Sequence, residues 1–186
     1  MIKPDLMFTQ NVNAGTLQEM VTNEGAKLLH LTFQQPVMLI FLRHFGCTFC
    51  REALDDISRK RDEIENMGTK LVMVHMTDFK TAEHYFNRFN IRDAVHISDP
   101  TCRFYTAFGL TKGTTTQLFG LQTWIKGFNS SVLKGRGVGL PVGDGFQMPG
   151  VFVLQDGEVK EEFIHKVVSD RPDYVGLVKN CCELTP

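Results

Sequence analysis

The chain has 186 residues, of which 42% are apolar and 22% charged, and its formal net charge is -1. This length suits a single α/β domain over 1–186, and the composition excludes a disordered tail. A near-neutral chain has no field to gather nucleic acid or an anionic membrane, and its longest strongly apolar run, Val37 to Leu42, is too short to span a bilayer.

The N-terminal stretch, Met1 to Asn13, has neither a basic n-region nor a long apolar core, so no secretory leader is expected and the cytoplasm is the expected compartment. Thr16-Leu17-Gln18-Glu19 fits a capping box that opens a helix ending near Gly25. After Pro36, Val37 to Arg43 reads as a central strand buried on both faces. Cys47 to Asn66 reads as a helix stopped by Gly68, with Cys50, Leu54, Ile57, Ile64 and Met67 on one stripe. Its basic run Arg59-Lys60-Arg61 is flanked by Asp55, Asp56, Asp62 and Glu63, the pattern of a solvated face.

Leu71 to Met76 is a second apolar strand, Lys80 to Asn90 an amphipathic helix, and Val95 to Ser98 a short strand closed by Asp99-Pro100. Two helices are expected over Cys102–Phe108 and Thr115–Phe128, then a glycine-rich stretch from Lys134 to Gly145. Val151 to Leu154 and Val159 to His165 read as a hairpin around Asp156-Gly157, a type I′ turn signal. Pro172 to Cys182 is a closing helix with proline at its start. Alternating strands and helices followed by a hairpin predict a mixed central sheet with helices on both faces.

The chemistry concentrates at Cys47-Thr48-Phe49-Cys50. Cys47 follows a strand and opens a helix, where unpaired N–H groups and the helix dipole favour a thiolate. Arg43 and Arg51 bracket the motif and add positive charge. Cys50 lies one turn later on the apolar stripe, so the expected roles are asymmetric: Cys47 attacks and Cys50 resolves. Phe45 and Phe49 supply apolar surface. A zinc half-site needs a second spaced pair, and adjacent Cys181-Cys182 and solitary Cys102 do not make one, so no metal and no organic cofactor are expected. Two idle core cysteines are the remaining alternative.

Gln147-Met148-Pro149 precedes the hairpin. A cis Met148–Pro149 bond would let the Met148 backbone pair with a substrate beside Cys47, whereas a trans proline would simply start a strand.

Leu42-Arg43-His44-Phe45-Gly46-Cys47-Thr48-Phe49-Cys50-Arg51-Glu52 resembles the motif of the peroxiredoxin-like branch of the alkyl hydroperoxide reductase/thiol-specific antioxidant superfamily, which includes selenoprotein-L-like members. Ser98-Asp99-Pro100 with Tyr105 and Gly109, Gly143-Asp144-Gly145-Phe146-Gln147, and Asp170-Arg171-Pro172-Asp173-Tyr174 are similar to further segments of that branch. The resemblance implies a thioredoxin-like three-layer α/β/α sandwich. It also implies a thiol-dependent oxidoreductase acting on a peroxide or disulfide and reset by an external dithiol such as thioredoxin or glutaredoxin. A homodimer is compatible with it. The chain departs from the superfamily by carrying Ile40 and His44 where peroxiredoxins have a proline and a threonine or serine. Arg136 is the candidate for the distant arginine of that superfamily.

The expected site therefore comprises Cys47 and Cys50 as reacting groups. Arg43, His44, Thr48, Phe49, Arg51, Met148 and Pro149 are the expected binding or activating residues. The other function class is a redox sensor or binding module that uses the same pair without turnover. Gly135-Arg136-Gly137-Val138-Gly139 reads as a loop, Cys102, Cys181 and Cys182 as incidental thiols, and His75 as a core histidine.

Overall fold

β1, Val37–Phe41, is buried along its whole length and forms the centre of a five-stranded sheet. The computed structural model describes residues 12–45, 48–113, 144–167 and 169–182, the side chains of Thr48, Phe49 and Cys182 excepted. The expected helix at Thr115–Phe128, the loop with Arg136 and residue Cys47 lie outside the described residues.

In chain order the elements are α1 (Ala14–Glu19), α2 (Leu28–Gln34), β1, α3 (Thr48–Asn66), β2 (Lys70–His75), α4 (Phe79–Arg88), β3 (His96–Ser98), α5 (Arg103–Ala107), β4 (Gly150–Gln155), β5 (Glu158–Ile164) and α6 (Tyr174–Cys182). The sheet order is β3-β2-β1-β4-β5. β1 and β2, and β2 and β3, pair in parallel, while β4 runs antiparallel to both β1 and β5. The mixed sheet expected from the element order is present.

Alternation along β1 builds two cores. Val37, Leu39 and Phe41 face α1, α2 and α5, packing with Val72, Val74, Phe104, Phe108 and Phe152. Met38 and Ile40 face the opposite layer, where Leu54 and Ile57 of α3, Phe86 of α4 and Val178 of α6 cover them. Both faces are apolar, so the strand reads as a continuous run. Asp156 and Gly157 have φ of 53° and 77°, the paired positive angles of a type I′ turn, and they join β4 to β5 as expected.

Two local expectations change. The N-cap of α1 is Asn13, whose Oδ1 accepts the Thr16 N–H at 3.0 Å, so Thr16 sits inside the helix and the capping box does not form. The chain then turns through Gly25 at φ 81° and enters a second helix, α2, that the sequence reading did not contain. Leu28 and Leu31, one turn apart, bury against the sheet and hold α2 there.

Candidate active site

β1 delivers the chain to the site. The Leu42 N–H donates to the Val74 carbonyl at 2.9 Å, extending the parallel pairing by one residue. Arg43, His44 and Phe45 follow, all buried, before α3 begins at Thr48. Tyr105 closes this end of the sheet: its hydroxyl donates to the carbonyls of Leu42 and Val74, the second at 3.1 Å. Burial pushes the Tyr105 pKa well above the usual phenol value, so the hydroxyl stays protonated and bonded.

Cys50 is 7% exposed and belongs to the inner face of α3 with Leu54 and Ile57. It lines a cavity of ≈ 30 Å³ with Leu42, Arg43, Pro149, His165, Arg171 and Tyr174. Such a space holds about one water-sized molecule. Two guanidinium groups on its wall favour negative charge inside it. Arg171 is held in turn by Glu52 and lies 3.9 Å from Asp56.

The segment from Asp144 leads to Pro149, which lines the cavity. Arg43 donates to the Gly145 carbonyl. Asp144 pairs with Lys112 at 2.7 Å, Gln147 Nε2 donates to the Leu110 carbonyl at 2.7 Å, and the Met148 N–H donates to Thr111 at 3.2 Å. Met148 is buried. No peptide bond among the described residues is cis, so Met148–Pro149 is trans. The expected substrate pairing through Met148 is thereby corrected: its N–H is engaged within the fold, while Pro149 itself borders Cys50.

His44 is buried with its Nδ1 lacking a hydrogen-bond partner. Burial, aided by Arg43, lowers its pKa from 6.5 to about 4 against the opposing pull of Asp144. His165 follows β5, and its N–H donates to the Pro149 carbonyl at 3.4 Å. Burial lowers its pKa to about 4 as well. Both imidazoles are therefore neutral at neutral pH.

Of the expected residues, Arg43, Cys50 and Pro149 meet at the cavity. Arg51 is half-buried on α3 and does not line it, and Thr48 contributes the first backbone position of that helix. Sequence reading missed His165, Arg171 and Tyr174 as site residues. Arg171 and Tyr174 stand in the segment quoted as a family resemblance, but nothing local assigns them to Cys50.

The remaining candidates separate from the site. Cys102 has its thiol pKa raised, first by burial and then by Asp99 and Asp144, the opposite of activation. Asp99 takes the N-terminal donors of α5, accepting from Phe104 at 2.8 Å and Arg103 at 3.1 Å. Cys181 is buried at the far end of β4, with Sγ 3.7 Å from Gln155 Oε1. His75 is a core histidine and has a partner: its Nε2 lies 2.7 Å from His96 Nδ1. Among the described residues, no group of three or more His, Cys, Asp or Glu is placed to hold a metal ion, and no helix is long and apolar enough to cross a membrane.

Comparison with known proteins places the family and the fold. Residues 56–167, more than half of the chain, match the model of the AhpC/TSA antioxidant enzymes, a span that begins after Cys50. The thioredoxin-like protein AAED1, chloroplastic, of Arabidopsis thaliana is 22% identical over 153 residues, covering 78% of this chain and 61% of that protein. The human peroxiredoxin-like 2C is 24% identical over 144 residues, covering 72% and 62%. The chain thus spans about three fifths of the length of these curated relatives. The crystal structure of peroxiredoxin 6 of Arenicola marina shares the fold with a TM-score of 0.62 at 11% identity, over 89% of this chain and 68% of that one.

Proposed function

Because the chain belongs to the AhpC/TSA antioxidant enzyme family, we propose that it is a thiol-dependent oxidoreductase that reduces peroxides or disulfides through Cys47 and Cys50. The observation that carries this reading is the seat of Cys50: buried on the inner face of α3, on the wall of a cavity that also holds Arg43 and Arg171. Cys47 immediately precedes α3, where the helix N-terminus favours its thiolate. Arg43, on the cavity wall, adds positive charge, and His44, Thr48, Phe49 and Arg51 are assigned with it to binding or activation.

With a disulfide, the Cys47 thiolate attacks one sulfur, and the other leaves and takes a proton. Cys50 then attacks the Cys47 sulfur, expels the bound thiol and closes the Cys47–Cys50 bond. With a peroxide, Cys47 becomes a sulfenic acid and an alcohol or water departs; Cys50 displaces water to form the same bond. An external dithiol such as thioredoxin or glutaredoxin restores both thiols. A reducing compartment such as the cytoplasm suits this cycle.

The test is reaction of the reduced protein with hydrogen peroxide and, separately, with a small disulfide, each with and without a thioredoxin reducing system. Cys47→Ser should abolish both reactions, and Cys50→Ser should stop at the sulfenic acid or mixed disulfide. Reactivity that survives Cys47→Ser would remove the assignment. One oxidation without further turnover would mark a sensor instead of an enzyme.

A further inference from the structure

We propose that the end of the sheet remote from Cys50 carries a binding site for a short zwitterionic peptide, whose carboxylate is held by Arg61, Thr69 and Lys70 and whose amino group is held by Glu24, Glu83 and Asp93. Lys70 pairs with Val37 at the start of β1, whereas the thiol cavity borders Phe41 and Leu42 at the strand's other end. The site therefore stands apart from the dithiol reading and goes beyond it.

The site grows out of the turn that ends α3. Gly68, at φ 78°, donates its N–H to the Glu65 carbonyl at 2.9 Å, and the Thr69 N–H donates to the Ile64 carbonyl at 3.3 Å, the Schellman pattern. The chain thereby turns into β2, and Thr69 and Lys70 line a cavity of ≈ 330 Å³ together with Arg61 of the helix just ended. Arg61 braces the walls: its Nη1 donates to the Arg92 carbonyl at 2.6 Å and its Nε to Glu65 Oε1 at 2.8 Å. Its Nη2 has no partner among the described residues, and Lys70 Nζ comes no nearer to Glu24 Oε2 than 3.9 Å. Thr69 is the residue that asks for a ligand. It is 1% exposed, and its hydroxyl is buried without a hydrogen-bond partner. A hydroxyl shut off from water and left unbonded costs free energy that a bound polar group would recover.

Two cations and a hydroxyl suit a carboxylate. A simple anion does not fit, because Glu24 and Asp93 line the same cavity. A second cavity of ≈ 260 Å³ adjoins the first through Glu24, Ile91, Asp93 and Ala94, and it adds Glu83 but no Lys or Arg. Charge thus changes sign along one groove, from positive at the α3 turn to negative beside α4. The lining also includes the buried apolar side chains of Leu71, Met73 and Ile91. A ligand with an acid at one end, an amine at the other and a small apolar body between them matches all three features. A peptide of two or three residues has that form, and the groove is of ordinary ligand-pocket size, about 300–1,000 Å³.

The test follows the backbone amide resonances of the isotope-labelled full chain during titration with the tripeptide Ala-Leu-Ala. The peptide with free termini should shift Lys70 and Ala94 saturably, with a Kd on the order of 1 mM. Acetylating its N-terminus or amidating its C-terminus should each weaken binding about tenfold, because each cap removes one charge-assisted contact. Thr69→Val should weaken binding of the free peptide to a similar degree without lowering the thermal midpoint, since the change deletes a hydroxyl that is unbonded in the free protein. Glu83→Gln, at a half-exposed position, should weaken the free peptide and leave the acetylated one unchanged. Absence of a saturable shift at about 10 mM peptide overturns the site. Equal binding of free and capped peptides, or unchanged binding in both Thr69→Val and Glu83→Gln, overturns it as well.

Discussion

Two pairs of buried histidines occupy different parts of this molecule. His75 and His96 lie on β2 and β3, ringed by Phe79 and Phe86. His44 and His165 follow the ends of β1 and β5, and His165 lines the Cys50 cavity. Burial lowers the pKa in every case, to about 3 for His75 and about 4 for the other three. The first pair nevertheless turns inward. The Thr77 N–H donates to His75 Nδ1 at 3.4 Å, so Nε2 carries the proton and donates to His96. His96 Nε2 and the Nδ1 atoms of His44 and His165 are all buried without a hydrogen-bond partner, and His165 lines the cavity that Cys50 also lines. A depressed pKa thus reports burial in both regions, and His165 differs in lining a cavity together with a cysteine.

Acid titration is the most forceful way to test that contrast. Each of the four groups has a lowered folded pKa, so between about pH 4 and the unfolded value near 6.5 the unfolded chain binds more protons. Stability is then complete above the unfolded value and falls as pH drops through this window, by up to roughly 5 kcal/mol per pH unit if all four act together. Urea unfolding at stepped pH measures it. The double change His75→Leu with His96→Leu should halve that slope and leave the kinetics at Cys47 untouched; an unaltered slope would show that the inner pair does not titrate on unfolding.

Between the two regions stands Tyr105, whose backbone is held by Asp99. The buried Asp99 carboxylate accepts from the N–H groups of Arg103, Phe104 and Tyr105. Asp99→Ala strands these donors and should cost about 3 kcal/mol, read as a lowered thermal midpoint. A loss under half of that would mean that water replaces the carboxylate.

The smallest effect is expected from His75→Leu alone, which leaves His96 Nδ1 without its donor and should cost about 2 kcal/mol. Its reaction with dithiobis(nitrobenzoate) should match that of the parent. A slowed reaction would couple the two histidine regions and end the distinction drawn between them.

Sequence alone determined the elements whose causes are local. The apolar run after Pro36 made β1, the Cys50, Leu54, Ile57 stripe made the inner face of α3, and Asp156-Gly157 set the hairpin, because strand and helix periods and turn angles act over a few residues. Where two local solutions compete, the tertiary structure decided. Asn13 and Thr16 are both good caps, and Asn13 caps the turn in which Leu17 is buried in the core. α2 is short for an isolated helix, and it exists because Leu28 and Leu31 find the sheet. The same holds for the site. Arg43 reaches Gly145 across 102 residues, and Cys50 meets His165, Arg171 and Tyr174 only because β4 adds antiparallel to β1 and carries β5 and α6 with it. Residue type and spacing marked the thiols; the long-range pairing of strands chose the groups that surround them.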